Sequence, residues 1–301
     1  MMDLIIIGSG CAGCAAAIYA SRAGLKPLVI DGFQPGGQLT MAGEVENFPG
    51  FPDPIPGLTL MDGMRRQAER LGAQFVGGSV TGVDFSKRPL KVFKGSEVYE
   101  ARSVIIATGA LAKWLGIESE RKFIGKGVSS CAYCDGYFYK GKRVAVVGGG
   151  DTALGEALFL SGIAKEVIVV HRRAELRANR LLQERALREG KIKFEWNKAV
   201  LEVLGDDRVN GLLLKDVISG EIKRLECDGL FVAIGHKPNT DVFRGHIEMD
   251  AEGYIVTRDL VRTSVDGVFA AGDVCNKKYR QAVVASALGC IAAIEAEKYL
   301  R

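Results

Sequence analysis

Short apolar runs rich in β-branched residues alternate along this chain with alanine-rich stretches, and twice a cluster of glycines stands between them. Asp3 to Ile7 is such a run and predicts a buried parallel strand. Gly8-Ser9-Gly10-Cys11-Ala12-Gly13 follows, then a helical stretch from Cys14 to Ala23, then a second strand, Leu28 to Ile30, ending at Asp31. The order recurs in mid-chain. Arg143 to Val147 predicts a strand, Gly148-Gly149-Gly150-Asp151-Thr152-Ala153 a loop, and Ala153 to Ser161 a helix. Val167 to Val170 then predicts a strand ending at His171-Arg172-Arg173. Near the C-terminus, Val268 to Ala271 predicts one more strand and Ala282 to Ala296 a small-residue helix.

A glycine cluster between a strand and a helix is the dinucleotide fingerprint in the context it requires. One glycine makes the turn, one lets backbone approach a pyrophosphate, and one allows close helix–strand packing. The helix N-terminus then offers free N–H groups to phosphate. Asp31 and His171 stand at the same spacing from Gly8 and Gly148, so acid ends one copy and base the other. A carboxylate suits a bare ribose, whereas Arg172, Arg173 and Arg177 suit a 2′-phosphate. Arg185, Arg188 and Lys191 lie amid Glu184 and Glu189 at helical spacing and read as a solvated face.

Composition narrows the classes. With 301 residues, 48% hydrophobic and 25% charged, the chain has the make-up of an ordinary globular protein with room for about two domains. No uninterrupted apolar run reaches the roughly 18 residues that cross a bilayer. The N-terminal run lacks the basic flank of a signal peptide, since Asp3 is the only charge ahead of it. A cytoplasmic location is therefore expected. A net charge of +4 does not by itself imply nucleic acid. Seven cysteines without a four-ligand spacing do not make a secreted disulfide framework.

Cys131-Ala132-Tyr133-Cys134, followed by Asp135, carries the candidate chemistry. Two thiols in C-x-x-C can close and reopen a small disulfide, and an adjacent carboxyl can move the proton that exchange requires. Half of a zinc site has the same spacing. Cys11 and Cys14 form a second C-x-x-C, and all four thiols together would make a four-cysteine zinc set. Because Cys11 and Cys14 lie within the first glycine loop, small buried packing is their default reading. Cys227, Cys275 and Cys290 read as isolated packing residues, and His236 and His246 as structural. Asp135 has a plainer reading as a turn residue before Gly136, as Asn47 has before Pro49.

Taken in order, these motifs resemble those of the low-molecular-weight, bacterial-type thioredoxin reductases over essentially the whole chain. The first loop (Gly8, Ser9, Gly10, Ala12, Gly13) with Asp31 and Gly32 resembles the family's FAD fingerprint. Gly36-Gly37-Gln38-Leu39-Thr40 and Glu44 to Gly50, with Asn47, resemble its flavin-contact segments. Thr108-Gly109 resembles its strand-end turn, and Gly267 to Asp273, with Gly272, then Arg280-Gln281-Ala282, its second FAD segment. Gly148, Gly150, Asp151 and Thr152, then His171, Arg172, Arg173 and Arg177, with Ile234 and Gly235, resemble its NADPH-binding positions. Cys131 to Gly136 resembles its redox-active disulfide and acid. Gly155 departs from the pattern, standing where the family usually has glutamate, and Cys11 stands where proline is common.

The resemblance implies an α/β fold of two nested dinucleotide-binding, Rossmann-like, three-layer domains. The motif order places an FAD domain at 1–113 and 241–301 and an NADPH domain at 114–240, joined by two strands near Ala112–Trp114 and Gly235–Asn239. Two crossings form a hinge, and the resemblance implies that the inserted domain rotates between turnovers. It also implies non-covalent FAD and NADPH, no metal, a homodimer, and a thioredoxin or thioredoxin-like partner. Cys134 is expected to face the flavin, Cys131 to attack the partner disulfide, and Asp135 to protonate the leaving thiolate. Two rivals stay open: reduction of another thiol carrier, peroxidase-linked or glutaredoxin-like, and a non-enzymatic redox sensor with a zinc held by four cysteines.

Overall fold

Met2–Ile7 forms strand β1, and the first glycine loop leads from it into helix α1, Cys11–Arg22. Strand β2 (Leu28–Ile30), helix α2 (Gly57–Arg70) and strand β3 (Gln74–Val76) follow, with a small hairpin between β2 and α2. Next come β4 (Gly82–Asp84), β5 (Leu90–Lys94), the long β6 (Glu97–Ile106) and β7 (Ala110–Ala112). The middle of the chain holds the short helix α3 (Glu118–Lys122), β8 (Val128–Ser129), α4 (Ala132–Asp135), β9 (Arg143–Val147), α5 (Asp151–Ser161) and β10 (Glu166–His171). It continues with α6 (Arg180–Arg188) and strands β11 (Ile192–Trp196), β12 (Lys198–Gly205), β13 (Val209–Asp216), β14 (Ile222–Glu226) and β15 (Gly229–Val232). Strand β16 (His236–Pro238), β17 (Val268–Ala270) and α7 (Ala282–Leu300) complete the chain. This computed structural model describes residues 1–301.

The elements form two units. One is Met1–Leu111 with Lys237–Arg301, and the other is the intervening Ala112–His236. The first has a parallel core in the order β3-β2-β1-β6-β17, with the antiparallel β4 and β5 extending the sheet along the first half of β6. The second has a parallel sheet in the order β8-β15-β9-β10-β11, and an antiparallel β12-β13-β14 meander. Each is therefore a parallel sheet with helices on one face and antiparallel strands packed on the other. β1 and β9 hold corresponding central places.

Alternation along the central strands shows why the apolar runs are continuous. Leu4 and Ile6 of β1 pack on one face with α1 and α7, while Ile5 and Ile7 pack on the other with Leu90, Val104 and Phe243. In β9, Val144 and Val146 join Leu154 and Leu160 of α5, while Ala145 and Val147 join Leu212 and Leu214 of the meander. A sheet covered on both faces leaves no solvent side, so strand residues are apolar throughout. Each such aliphatic side chain contributes about 1.5–3 kcal/mol by leaving water.

Helices α1 and α7 meet without a side chain between them at one point. A Cβ on Gly289 would lie 2.0 Å from the Ala12 carbonyl oxygen, so only glycine permits the crossing. The final helix runs four residues beyond the expected end at Ala296, closing on buried Leu300. Glu297 and Lys298 are good helix formers that carry the same geometry onward after the small residues stop.

Candidate functional site

The first loop is a tight turn with no room for a side chain at Gly8 or Gly13. The Gly8 amide donates to the Ile30 carbonyl at 2.8 Å, tying β1 to β2. Gly8 has φ +106°, and a Cβ there would lie 2.4 Å from the Ala107 carbonyl oxygen; a Cβ on Gly13 would lie 1.9 Å from the Gly8 carbonyl oxygen. Ser9 Oγ accepts from the Gly36 amide at 3.0 Å and donates to the Asp31 carbonyl at 3.3 Å. That hydroxyl draws the Gly36-Gly37 turn against Gly10, where a Cβ on Gly37 would be 3.1 Å from the Gly10 Cα. The loop, Asp31, Gly32, Gly36 and Gly37 thus form one small cradle beneath the N-terminus of α1. Asp31 is not free in it: Arg65 of α2 pairs with its carboxylate at 3.0 Å.

The remaining candidates of this unit are tied to neighbouring segments by hydrogen bonds. Thr108 Oγ1 donates to the Asn239 carbonyl and Asn239 Nδ2 donates back to the Thr108 carbonyl, both at 2.8 Å, fixing the Thr108-Gly109 turn. Gln38 Nε2 donates to the Ala110 carbonyl. Asn47 Nδ2 donates to Gln281 Oε1 at 3.3 Å, joining residues far apart in sequence just ahead of Ala282, the first residue of α7. Gly272, at φ +80°, sits against the Ala12 and Ala285 methyls. Burial pushes the neighbouring Asp273 carboxyl up to about 6, with the positive charge of Arg280 opposing the shift.

The second unit repeats the first loop's construction. The Gly148 amide donates to the Val170 carbonyl at 3.2 Å. A Cβ on Gly148 would lie 2.5 Å from the Ala233 carbonyl oxygen, ahead of Ile234 and Gly235. His171 is only 5% exposed. Its ring fills the space where a Cβ on Gly149 would stand, 2.3 Å from Cε1, and Nε2 contacts the Glu175 carbonyl at 3.0 Å. Burial lowers its pKa. Arg172, Arg173 and Arg177 are exposed beside it. The amides of Arg177 and Ala178 donate to the Gly149 carbonyl at 2.7 and 3.1 Å, folding the arginine segment back over the loop. Asp151 Oδ1 accepts from both the Asn179 amide (2.7 Å) and Asn179 Nδ2 (3.0 Å), while Asn179 Oδ1 caps α6 at the Leu182 amide. Thr152 lies in the first turn of α5, half-buried, and Gly150 immediately precedes that helix.

Cys131 and Cys134 are joined as a disulfide across α4. Cys131 is the residue before the helix, and its Sγ accepts from the Cys134 amide at 3.2 Å. The Ser129 hydroxyl accepts from the Cys131 amide at 3.0 Å, seating the start of the turn on β8. Cys134 is exposed and Cys131 half-buried. Asp135 is half-buried beside them; burial raises its pKa, and a hydrogen bond from Ser129 works against that rise. Tyr133, Tyr137 and Phe138 stand exposed around the disulfide.

The other cysteines are free thiols. Cys11 donates to the Met61 sulfur at 3.4 Å and Cys14 to the Ser9 carbonyl at 3.2 Å. Burial pushes both up to about 12, with Asp273 adding to the rise at Cys11. Burial also takes Cys227 and Cys275 to about 12. Such thiols stay protonated at neutral pH and are poor nucleophiles. No three His, Cys, Asp or Glu side chains are grouped to hold a metal ion, and Cys131 and Cys134, half of the four-cysteine zinc set, are bonded to each other as a disulfide. No helix is long and apolar enough to cross a membrane.

Two parallel α/β units, each with a glycine loop at the strand–helix turn and one carrying a C-x-x-C disulfide, define a class of protein that couples a dinucleotide to a disulfide. The chain belongs to the pyridine nucleotide-disulphide oxidoreductase family, whose model matches residues 2–289. It is 52% identical to a protein of Rickettsia conorii called thioredoxin reductase, over 99% of this chain and 97% of that one. It is 50% identical to another of that name from Streptomyces coelicolor, over 99% of this chain and 94% of the relative. Among solved structures, the thioredoxin reductase of Giardia duodenalis superposes with a TM-score of 0.95 at 42% identity, covering 99% of this chain and 98% of that one. That of Streptococcus pyogenes gives 0.95 at 40% identity, covering 100% and 98%.

Several residues that shape these sites carry no motif. Arg65, Ser129 and Asn179 each act on a candidate residue through a contact that the fold makes. Only Asn179 had a local signal, as an N-cap amide before a helical stretch.

Proposed function

We propose that this chain is an NADPH-dependent reductase of a thioredoxin-like protein disulfide, with FAD held in the first unit and NADPH in the second. The observation that carries the reading is the Cys131–Cys134 disulfide with Asp135 beside it, in the unit that also holds the basic nucleotide loop. The cradle fits a dinucleotide: Gly8, Gly10, Gly13 and Gly37 leave bare backbone at the N-terminus of α1, where a pyrophosphate is best received. Asp31 and Ser9 would hold the ADP half; Gln38, Asn47, Thr108, Asp273 and Gln281 would hold the ribityl and ring half. Gly148, Gly150 and Thr152 would receive the NADPH pyrophosphate, and Arg172, Arg173 and Arg177 its 2′-phosphate. His171 would serve by shaping the loop from beneath Gly149. Bound there, FAD and NADPH would supply the hydride relay that delivers two electrons to the disulfide.

The chain's own groups account for the exchange. Once the disulfide is reduced, the Cys134 amide stabilises negative charge on Cys131 Sγ, which suits Cys131 to attack one sulfur of the partner disulfide. The partner's other sulfur leaves and takes a proton, for which Asp135 is the nearby acid. Cys134 then attacks Cys131 Sγ in the mixed disulfide, releasing the partner's second thiol and restoring Cys131–Cys134. The partner gains two electrons and two protons. Tyr133, Tyr137 and Phe138 offer the apolar surface for that partner. The homodimer and the cytoplasmic setting belong to the same reading, the former measurable by sedimentation.

The test follows NADPH oxidation by the FAD-loaded protein with a thioredoxin as acceptor. Cys131→Ser and Cys134→Ser are each expected to abolish acceptor-dependent turnover, and undiminished turnover in either would sink the mechanism. Trapping a mixed disulfide with the partner in Cys134→Ser, but not in Cys131→Ser, checks the order of attack.

A further inference from the structure

Asp31 has a partner that the reading so far leaves unused. Arg65 lies on α2, and its Nη1 is 3.0 Å from Asp31 Oδ1 and 3.1 Å from Oδ2. Its Nε donates to Glu69 Oε1 at 2.9 Å, one helical turn on. The guanidinium carbon also lies 4.3 Å over the ring of Phe75, on the strand that pairs with β2. Three contacts therefore fix the position of this group, and it is 33% exposed where Asp31 is 4% exposed. An exposed ion pair between two long, mobile side chains is worth little. This one is held by stacking and by a second carboxylate, and it closes on a buried acceptor at the end of β2.

That position is where the ribose of a dinucleotide falls in a doubly wound sheet. A carboxylate engaged at both oxygens by one guanidinium nitrogen cannot turn freely. Each oxygen has a second lone pair for a ribose hydroxyl. The cation also offsets the repulsion between Asp31 and the pyrophosphate that the adjacent loop would receive.

We propose that Arg65 is the positioning residue of the first dinucleotide site, aligning the Asp31 carboxylate for the adenosine ribose and so setting affinity for the ADP half of FAD. The inference rests on the reading that FAD occupies the Gly8–Gly13 loop. Its plain competitor is that Arg65 only staples α2 to the sheet.

Deflavinated wild-type protein, Arg65→Ala, Arg65→Lys, Asp31→Asn and the Arg65→Ala/Asp31→Asn double variant are titrated with FAD, following quenching of flavin fluorescence. Thermal unfolding of each FAD-free protein is recorded in parallel. Arg65→Ala is expected to raise the FAD dissociation constant about tenfold or more, as loss of a charge-assisted contact does. Arg65→Lys, which keeps the charge but not the second nitrogen that binds Glu69, should fall between it and wild type. The double variant should bind within about threefold of Asp31→Asn alone, since coupled partners are not additive. Multiplied losses in the double variant would overturn the proposal. So would an Arg65→Ala protein that melts lower but binds FAD as wild type does, which is the staple. Wild-type protein that binds no FAD would instead refute FAD occupancy of the Gly8–Gly13 loop and leave the Arg65 proposal without its ligand.

Discussion

Asp135 is the residue whose environment makes the sharpest demand on pH. Burial raises its pKa, so its acid form persists to higher pH than a free carboxyl would allow. The acid form delivers the proton, so partner reduction should slow as pH rises through that raised pKa. Asp135→Asn cannot titrate; it is expected to lose roughly 10²-fold in acceptor turnover and to flatten this limb. Stopped-flow reduction of thioredoxin across pH 5 to 9 measures both. An unchanged profile would return Asp135 to a turn residue. The sequence made Cys131, Cys134 and Asp135 legible because their chemistry depends on local spacing. It did not show Arg65 or Ser129, because their partners come from tertiary contacts with no repeat or motif. His171 was legible as a position but not as a buried ring, since spacing cannot tell which way a side chain turns.

Elements differ in how much room their glycines have, and this predicts opposite outcomes for the same substitution. A Cβ on Gly155, inside α5, meets nothing within 4 Å, so nothing in its surroundings requires glycine. Gly155→Ala should stabilise the protein by about 0.5–1 kcal/mol through backbone entropy. Gly289→Ala places its Cβ 2.0 Å from the Ala12 carbonyl oxygen and should cost roughly 1–3 kcal/mol, or prevent soluble expression. Urea unfolding of the two variants compares them directly; equal effects would refute the packing account. The strands were the most legible elements, because burial on both sheet faces leaves an unbroken apolar run. The ends of α5 and α7 were less so. Helix α5 begins at Asp151 rather than Ala153, its first turn formed by polar loop residues, and α7 outlasts its small residues.

At the scale of the whole molecule, the chain leaves its first unit after Leu111 and re-enters it at Lys237. Strands β7 and β16 pair there, with the Asn239 amide on the Gly109 carbonyl at 3.0 Å and the Lys113 amide on the Gly235 carbonyl at 2.9 Å. Leaving and returning segments thus run in opposite directions about 4.8 Å apart. A tight turn can replace everything between them. Two cores with no shared residue predict that residues 112–236 fold alone, and that 1–111 joined to 237–301 by a short loop folds as the other unit. Cooperative urea transitions in both fragments would support this; a molten inner fragment would refute it. Motif order puts the two crossings near Ala112–Trp114 and Gly235–Asn239, and the two compact units divide at Leu111/Ala112 and His236/Lys237.

The late arrival of β17 and α7 has a consequence for synthesis. The ribosome finishes the inner unit at residue 236, while the outer one still lacks the strand beside β6 and the helix that covers α1. Until α7 emerges, the side of α1 that packs against it has no cover, although α1 is made long before. The nascent protein is therefore assembled inside out: its middle can be native while its beginning waits for its end.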